Sequence, residues 1–438
     1  MKQSKHNIYY SPKEVRTILE RSIDTALDGL KCYCNDPVSD FTRCRKLPAR
    51  SLIECIMSFS NYSSIGELSH FFVGQGEMPS ASALSQRRQL LDPDIFKRIN
   101  NLFVSAFDDH TTINGYHILA QDGSDVNIPF MDDKTKTEKH DAKSFCQYHV
   151  NALYDCLNKV FYDWSIDAAS KKREVNALIS ILKDRNYPHN SIFTADRGYE
   201  SYNLMAHFIE NDIKFVIRVK DIHTKVGLMT NVRTEEGAFD MRINRTLTSL
   251  QTKEIKADKE KYIFVPSTSN FDFLDETRDL YDLSFRAVRF KISEDTYETV
   301  VTNLSEEEFK TEDFKELYHY RWNEETAFNK LKYTIGLVYF HARKRKLIQQ
   351  EINAAFLMYN VSEVIIRNIY LKKNKKPELE YDYKPNFSSA VTNIRLYLRK
   401  KINMRELILR IKKFLVAQRP ERSYERNIKG QSCKPLNY

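Results

Sequence analysis

Around residue 115 the hydrophobic period of the chain changes, and this change limits what it can fold into. Before it, apolar residues recur at helical spacing. After it, short apolar runs alternate with helical stretches. Tyr116–Gln121 is one such run, ending at Asp122. Gln147–Tyr154 and Lys159–Ile166 alternate apolar and polar residues around a turn and predict a hairpin. Glu174–Leu182 is helical in period, Ser191–Ala195 is a short strand ending at Asp196, Ser201–Ile209 is helical and Lys214–Val219 is again a strand. Strand, hairpin, helix, strand, helix, strand is the order of a mixed α/β sheet with helices packed on it.

The flanks differ. Residues 1–110 read as helices, the first opened by Ser11 with Glu14 three positions on, the pattern of a capping box. Arg87 and Arg88 lie on a short amphipathic segment. An Arg pair there suits a helix-turn-helix reader of DNA or a purely structural helical cap. Residues 221–304 carry short alternating pieces, Tyr262–Val265, Ser284–Lys291 and Tyr297–Thr302, and read as a β-rich insertion in a catalytic region spanning 111–340. Helices return after 306. Residues 341–438 form a basic helical region, interrupted over Ile366–Pro385 and extended after Gln418.

Composition removes several classes. Eleven Gly and 12 Pro in 438 residues exclude collagen-like and linker-rich architectures. Seven Cys without a CxxC pair or a His at ligand spacing argue against a disulfide framework or a zinc site, and point to reduced thiols and a cytoplasmic location. The apolar stretch Ile352–Leu371 is broken by Asn360, Glu363 and Arg367, so it reads as a buried helix and not as a membrane span. Charge is uneven. Residues 341–438 hold 23 Lys/Arg against 8 Asp/Glu, while the rest of the chain is net negative in a total of +9. A basic end suits a polyanion, nucleic acid ahead of a membrane, or a solvated helical surface.

Asp122 and Asp196 each follow a short apolar strand, and strand ends are where ligands and metals gather in α/β sheets. Each is followed by Gly-containing turn chemistry, Asp122-Gly123-Ser124 and Asp196-Arg197-Gly198, so a plain turn is the alternative reading. A third feature is helical. At about 100° per residue, Tyr318, Arg321, Glu325 and Lys332 fall on one stripe about 60° wide. A carboxylate flanked along a helix by a guanidinium, an ammonium and a phenol can hold a divalent ion and bind phosphates on either side. An ordinary surface Arg–Glu pair explains the charges but not the common phase of all four. Three carboxylates suit Mg²⁺ or Mn²⁺, and two such ions can activate an attacking oxygen and stabilise a leaving one in phosphoryl transfer.

These residues resemble a known family. The spacing Tyr318-x2-Arg321-x3-Glu325-x6-Lys332 is similar to the Y-R-E-K signature of DDE transposases of the insertion-sequence-four family, which are built on a ribonuclease H-like core. TNLSEEEF, RWNEET and LKYTIGL around it look like family sequence. DGS at 122–124 and TADRGYES at 194–201, followed by KFVIRVK, are similar to the segments of its two aspartates. The resemblance covers 115–345 well, 386–438 loosely and 1–110 weakly.

It implies a ribonuclease H-like mixed sheet with a β-rich insertion and helical ends. It also implies Asp122, Asp196 and Glu325 as catalytic metal ligands for two Mg²⁺ or Mn²⁺ ions, and Tyr318, Arg321 and Lys332 as phosphate contacts. The implied partners are double-stranded DNA, both inverted-repeat ends and target, and a second copy of the chain, in a prokaryotic cytoplasm at the nucleoid. Glu324 departs from the family, which usually has an apolar residue there. Relatives that cut through a DNA hairpin use an aromatic wedge from the insertion. Neither Trp164 nor Trp322 lies there, which leaves Tyr262 or Phe264, and Trp322 is expected to pack inward.

Three functions follow: a transposase that cuts at element ends and joins the 3′-OH to target DNA, a catalytically inactive DNA-binding relic or repressor, and a ribonuclease H-like nuclease without joining. The histidines read as core or surface residues, His149 in a strand near the sheet being the one worth testing, and Asp125 competes with Asp122 as a ligand, though the strand-end position favours Asp122.

Overall fold

The computed structural model describes the chain apart from residues 6–7, 44, 75, 140–141, 170–172, 223, 225, 235, 267, 270, 295, 372–381 and 419–438. The expected extended tail after Gln418 and half of the break expected over Ile366–Pro385 therefore lie outside the described residues. In the other half, residues 366–371 end a long helix and Asp382–Pro385 form a strand, so the break starts later than its composition suggests.

Strand β1 (Gln3–Lys5) precedes helices α1 (Pro12–Asp28), α2 (Ala49–Met57), α3 (Ser64–Phe72), α4 (Ala81–Leu90) and α5 (Asp94–Val104). Strand β2 (Thr111–Ile113) then pairs antiparallel with β1. Ser11 caps α1, and Glu14 returns the bond to the Ser11 backbone N–H, so the capping box forms.

Strands β3 (His117–Ile128), β4 (Lys136–Lys139), β5 (Ala142–Asp155) and β6 (Val160–Ala168) come next, then α6 (Glu174–Asp184), β7 (Ser191–Ala195), α7 (Tyr202–Glu210) and β8 (Lys214–Val219). β3, β5 and β6 form an antiparallel meander, while β7 and β8 run parallel to β3 on its other side. The resulting order β6-β5-β3-β7-β8 is a ribonuclease H-like sheet. Parallel neighbours need crossovers, and α6 and α7 supply helical ones.

The insertion contributes β9 (Phe239–Thr248), α8 (Lys253–Ala257), β10 (Tyr262–Phe264), β11 (Leu280–Ser293) and β12 (Thr296–Thr302). It continues the sheet: β12 pairs with β8, and β11, β9 and β10 follow outward.

The chain then forms α9 (Asp313–His319) and α10 (Trp322–Lys330), a π-turn over Leu331–Ile335, and α11 (Arg345–Leu371). β13 (Asp382–Pro385), α12 (Phe387–Leu398), α13 (Met404–Lys413) and β14 (Leu415–Gln418) complete it.

α11 is the central helix of the molecule. α1, α2 and α5 pack on it from one side and β6 from the other, so the first hundred residues and the sheet share one apolar core. Trp164 of β6 stacks on Phe356 of α11 with ring centroids 4.4 Å apart, and its indole N–H donates to Asn353. The Arg pair of α4 belongs to this packing. Buried Arg88 donates to the Glu351 carboxylate at 2.6 Å and to the Leu347 carbonyl, and Arg87 lies over the Phe41 ring. For Arg88 the structural reading holds over the DNA-reading one, because a buried, paired guanidinium has no face left for a groove. Arg87 is half-buried and donates to the Leu47 carbonyl.

Candidate active site

The register between β3 and β7 brings the two aspartates together. The last paired residues are Gln121 and Ala195, so Asp122 and Asp196 are the next residues of adjacent parallel strands. Adjacent strands are about 4.8 Å apart and opposite residues of a pair share a face. Two strand-bound acids far apart in sequence thus become neighbours. The two are held differently. β3 does not end at Asp122 but runs on to Ile128, paired with β5, so Asp122 and Gly123 are strand residues and not a turn. Asp196 does end its strand, and its Oδ1 accepts the Gly198 N–H at 2.8 Å in a short helical turn.

The third acid arrives on α10, which packs on β3. Arg321 Nη2 lies 3.2 Å from Glu325 Oε1 and its Nη1 lies 3.8 Å from Asp122 Oδ2, so one guanidinium joins the helix acid to the strand acid. Lys332 Nζ donates to the Asp125 carbonyl of the same strand at 2.7 Å. Arg321, Glu325 and Lys332 all face β3, as one stripe requires.

The helix carrying them is not one regular α-helix, however. Around Tyr320 and Arg321 the backbone tightens to i−3 hydrogen bonds, Arg321 N–H to the Tyr318 carbonyl and Glu324 N–H to that of Arg321. At Leu331 it widens into the π-turn that carries Lys332, ended by Gly336 at φ +118°. Tyr318 consequently turns inward. It is 1% exposed, with the Arg321 guanidinium 5.6 Å from its ring centre, and its hydroxyl has no hydrogen-bond partner among the described residues. A buried phenol supports the guanidinium and does not reach for a phosphate directly. Trp322, expected to pack inward, is 44% exposed beside Arg321, because the tightened turn rotates it out of the core.

Electrostatics follow the geometry. Burial pushes Asp122 up to about 6. The Gly123 N–H and Arg321 pull it down, while the charges of Asp196 and Glu325 add to the rise. Burial lowers Lys332, countered by Asp125 and Asp122. Arg321 is raised despite its burial by Tyr318 and by the carboxylates of Asp122 and Glu325.

Glu324, the residue out of family pattern, is 0% exposed and neither carboxyl oxygen has a hydrogen-bond partner among the described residues. Burial and the nearby Asp122 charge raise it far above the carboxylate range. It sits beside Asp122 as a buried acid whose burial favours the protonated form.

Three acids of mutually repelling charge, one of them pushed up by burial, are a donor set that a hard divalent cation relieves. Among the described residues no three His, Cys, Asp or Glu side chains are drawn into a cage as they stand. Arg321 takes part of that role by bridging Asp122 and Glu325.

Behind this site the sequence singles out His149 and Asp125 separately, but neither their contact nor Glu174 beside them. Asp125, the competing ligand, is turned to His149 at 2.7 Å. Gly123 was read for its turn-forming freedom, yet it stands in a strand without positive φ and serves to leave space. Tyr262 and Phe264 lie on the outermost strand of the insertion, six strands along the sheet from β3.

A ribonuclease H-like sheet with two adjacent strand acids, a helix acid and flanking cations defines an enzyme of metal-dependent phosphoryl transfer on nucleic acid. More particularly, residues 113–361 match the family model described as transposase DDE domain, and the chain belongs to that family. It is therefore a DNA transposase whose chemistry uses divalent metal ions and whose partner is DNA. No curated protein matches the chain. Among solved structures it is similar to a piggyBac transposase in a synaptic complex with hairpin DNA, at 11% identity over 97% of this chain and 90% of that one, with a TM-score of 0.45. Among the described residues no helix is long and apolar enough to cross a membrane.

Proposed function

We propose that this chain is a transposase of the insertion-sequence-four family. In this reading Asp122, Asp196 and Glu325 hold two Mg²⁺ or Mn²⁺ ions, cleavage falls at the inverted-repeat ends, and the freed 3′-OH is joined to target DNA by a homodimer bridging two ends. The supporting observation is the register that makes Asp122 and Asp196 neighbours, together with Arg321 tying Asp122 to Glu325. The ions supply Lewis acidity at the attacked phosphate and lower the pKa of the attacking water.

The chain's own residues do the rest. Arg321 releases its carboxylates in favour of phosphate oxygens, for which its planar fork is suited. Lys332, already facing β3, adds a point charge on the same side. Tyr318 backs the guanidinium from beneath. The exposed Trp322 ring beside Arg321 offers a stacking surface for an unpaired base at the cut.

The test is cleavage and joining of DNA carrying the short inverted repeats that flank the gene. Wild type is expected to cut and join with Mg²⁺, and Asp122→Ala, Asp196→Ala and Glu325→Ala to lose both activities by at least a thousandfold while still binding the ends. Mutants that cut like wild type would remove this assignment. Cleavage without joining would make the chain a nuclease, and binding without cleavage on correct ends would make it a repressor or relic.

A further inference from the structure

His149 lies on β5 directly across from Asp125 on β3, and its side chain is 2% exposed. Nδ1 is 2.7 Å from Asp125 Oδ1. Nε2 is 3.0 Å from Oε1 of Glu174, the first residue of α6, in an ion-pair contact and not an aligned hydrogen bond. Side chains alternate along a strand, so Gly123 and Asp125 belong to the face of β3 opposite Asp122.

The two glycines that follow the aspartates show why this matters. A Cβ at Gly123 would lie 2.3 Å from His149 Nε2 and 3.0 Å from Glu174 Oε1, a separation no real side chain tolerates. A Cβ at Gly198 would lie 3.2 Å from Glu174 Oε2, next to Asp196 Oδ1 at 3.1 Å. One carboxylate thus rests an oxygen against the first glycine after each catalytic aspartate, and the Nε2–Cε1 edge of the imidazole closes on Gly123. Backbone pairing between β3 and β7 stops at Gln121 and Ala195, one residue short of the acids. Beyond that point the spacing of the two aspartates depends on what packs behind them.

We infer that His149 and Glu174 form a positioning pair that sets the separation of Asp122 and Asp196, and through it the affinity of the site for a divalent ion. The inference rests on the metal-site reading above. It requires neither residue to touch ion or DNA.

The experiment is Mn²⁺ binding to the full-length chain without DNA, followed by calorimetry, beside the melting temperature of each metal-free variant. Partners behind metal ligands typically carry about 10–100-fold in affinity. His149→Ala and Glu174→Gln are therefore expected to weaken Mn²⁺ binding about tenfold or more. Their melting should stay within a few degrees of wild type. His149→Gln, which can still donate to Asp125, should recover part of the loss. Unchanged Mn²⁺ affinity in both His149→Ala and the near-isosteric Glu174→Gln would overturn the inference. So would a loss that only tracks a collapse in melting temperature shared by His149→Gln. Mn²⁺ binding that survives Asp122→Asn unchanged would overturn the site reading, and this inference with it.

Discussion

Asp122 has the least comfortable environment of the three acids, and this gives it a pH signature. Burial pushes its carboxyl up to about 6, from an ordinary 3.8. Between those values the folded state binds more protons than the unfolded one, so stability falls as pH rises through the window, and the full penalty is present above it. Asp122→Asn removes the penalty. Without metal at pH 7.5 the variant should be more stable than wild type by roughly 1–3 kcal/mol, at about 1.4 kcal/mol per pKa unit, the two converging toward pH 4. Thermal unfolding across pH measures this, and a variant that melts no higher at pH 7.5 would deny the repulsion. Added Mn²⁺ should raise the wild-type melting temperature and leave the variant's unmoved.

The glycines make a second residue-scale prediction. Gly123→Ala has backbone angles to spare but no space, since the imidazole of His149 fills it. Overpacking of this kind costs about 1–3 kcal/mol. Reduced stability with strongly reduced Mn²⁺ binding is expected in denaturant titration and calorimetry. A neutral Gly123→Ala would mean that His149 moves freely.

At the scale of elements, what is local was readable and what is imposed by neighbours was not. The α1 capping box, the strand that ends before Asp196 and the helices on either side of it follow from caps and periodicity, which act over a few residues, whereas the strand expected to end at Asp122 runs on to Ile128 because β5 pairs with it. β9 is poorly legible in the sequence although Phe239, Met241, Ile243 and Leu247 alternate as a strand should. Its polar positions, Arg242, Asn244 and Arg245, hide the pattern, and buried Arg245 donates to the Thr230 carbonyl.

The broken Tyr318–Lys332 helix carries no comparable signal. Nothing in the residues from Tyr318 to Lys330 is a helix breaker, and the tightened turn and π-turn arise where the helix settles on β3 and α11. Gly336 is the visible trace, at a φ where a side chain costs about 1–2 kcal/mol. Gly336→Ala should lower stability by that amount and, by shifting the turn that carries Lys332, weaken DNA binding. Fluorescence anisotropy on end DNA checks the second effect, and binding unchanged at equal folded fraction would separate the turn from the lysine's placement.

Across the whole molecule, net charge misleads in an instructive way. The basic surplus of residues 341–438 reads as a DNA-binding end, yet part of it is used internally. Arg345 bonds the Asp133 carboxylate at 2.6 Å and the Pro129 carbonyl, Arg367 pairs with Asp109, and Arg395 donates to the Ile335 carbonyl. Arg88 of α4 is matched by Glu351, which also accepts from His341, so charge joins the N-terminal helices to α11. Removing one partner of a buried pair costs about 3–5 kcal/mol. Arg88→Ala should lose stability on that order in urea without altering the salt dependence of DNA binding. Lys332→Ala should do the reverse, reducing the slope of log affinity against log salt by about 0.9 for one phosphate contact. Equal slopes for wild type and Lys332→Ala would exclude that contact.

The sequence by itself determined the order of strands and helices from Gln147 to Val219, the two aspartates at strand positions and the spacing of Arg321, Glu325 and Lys332, because periodicity, caps and spacing are properties of neighbouring residues. Only the tertiary structure decided that Gln121 pairs with Ala195, which makes Asp122 and Asp196 adjacent, and that Arg321 spans from Glu325 to Asp122. It also decided that Tyr318 faces in and Trp322 out, and that His149 and Glu174 fill the space two glycines leave. Strand register and helix rotation are settled by which surfaces bury together, and that choice belongs to residues too far apart in the chain for any local pattern to record.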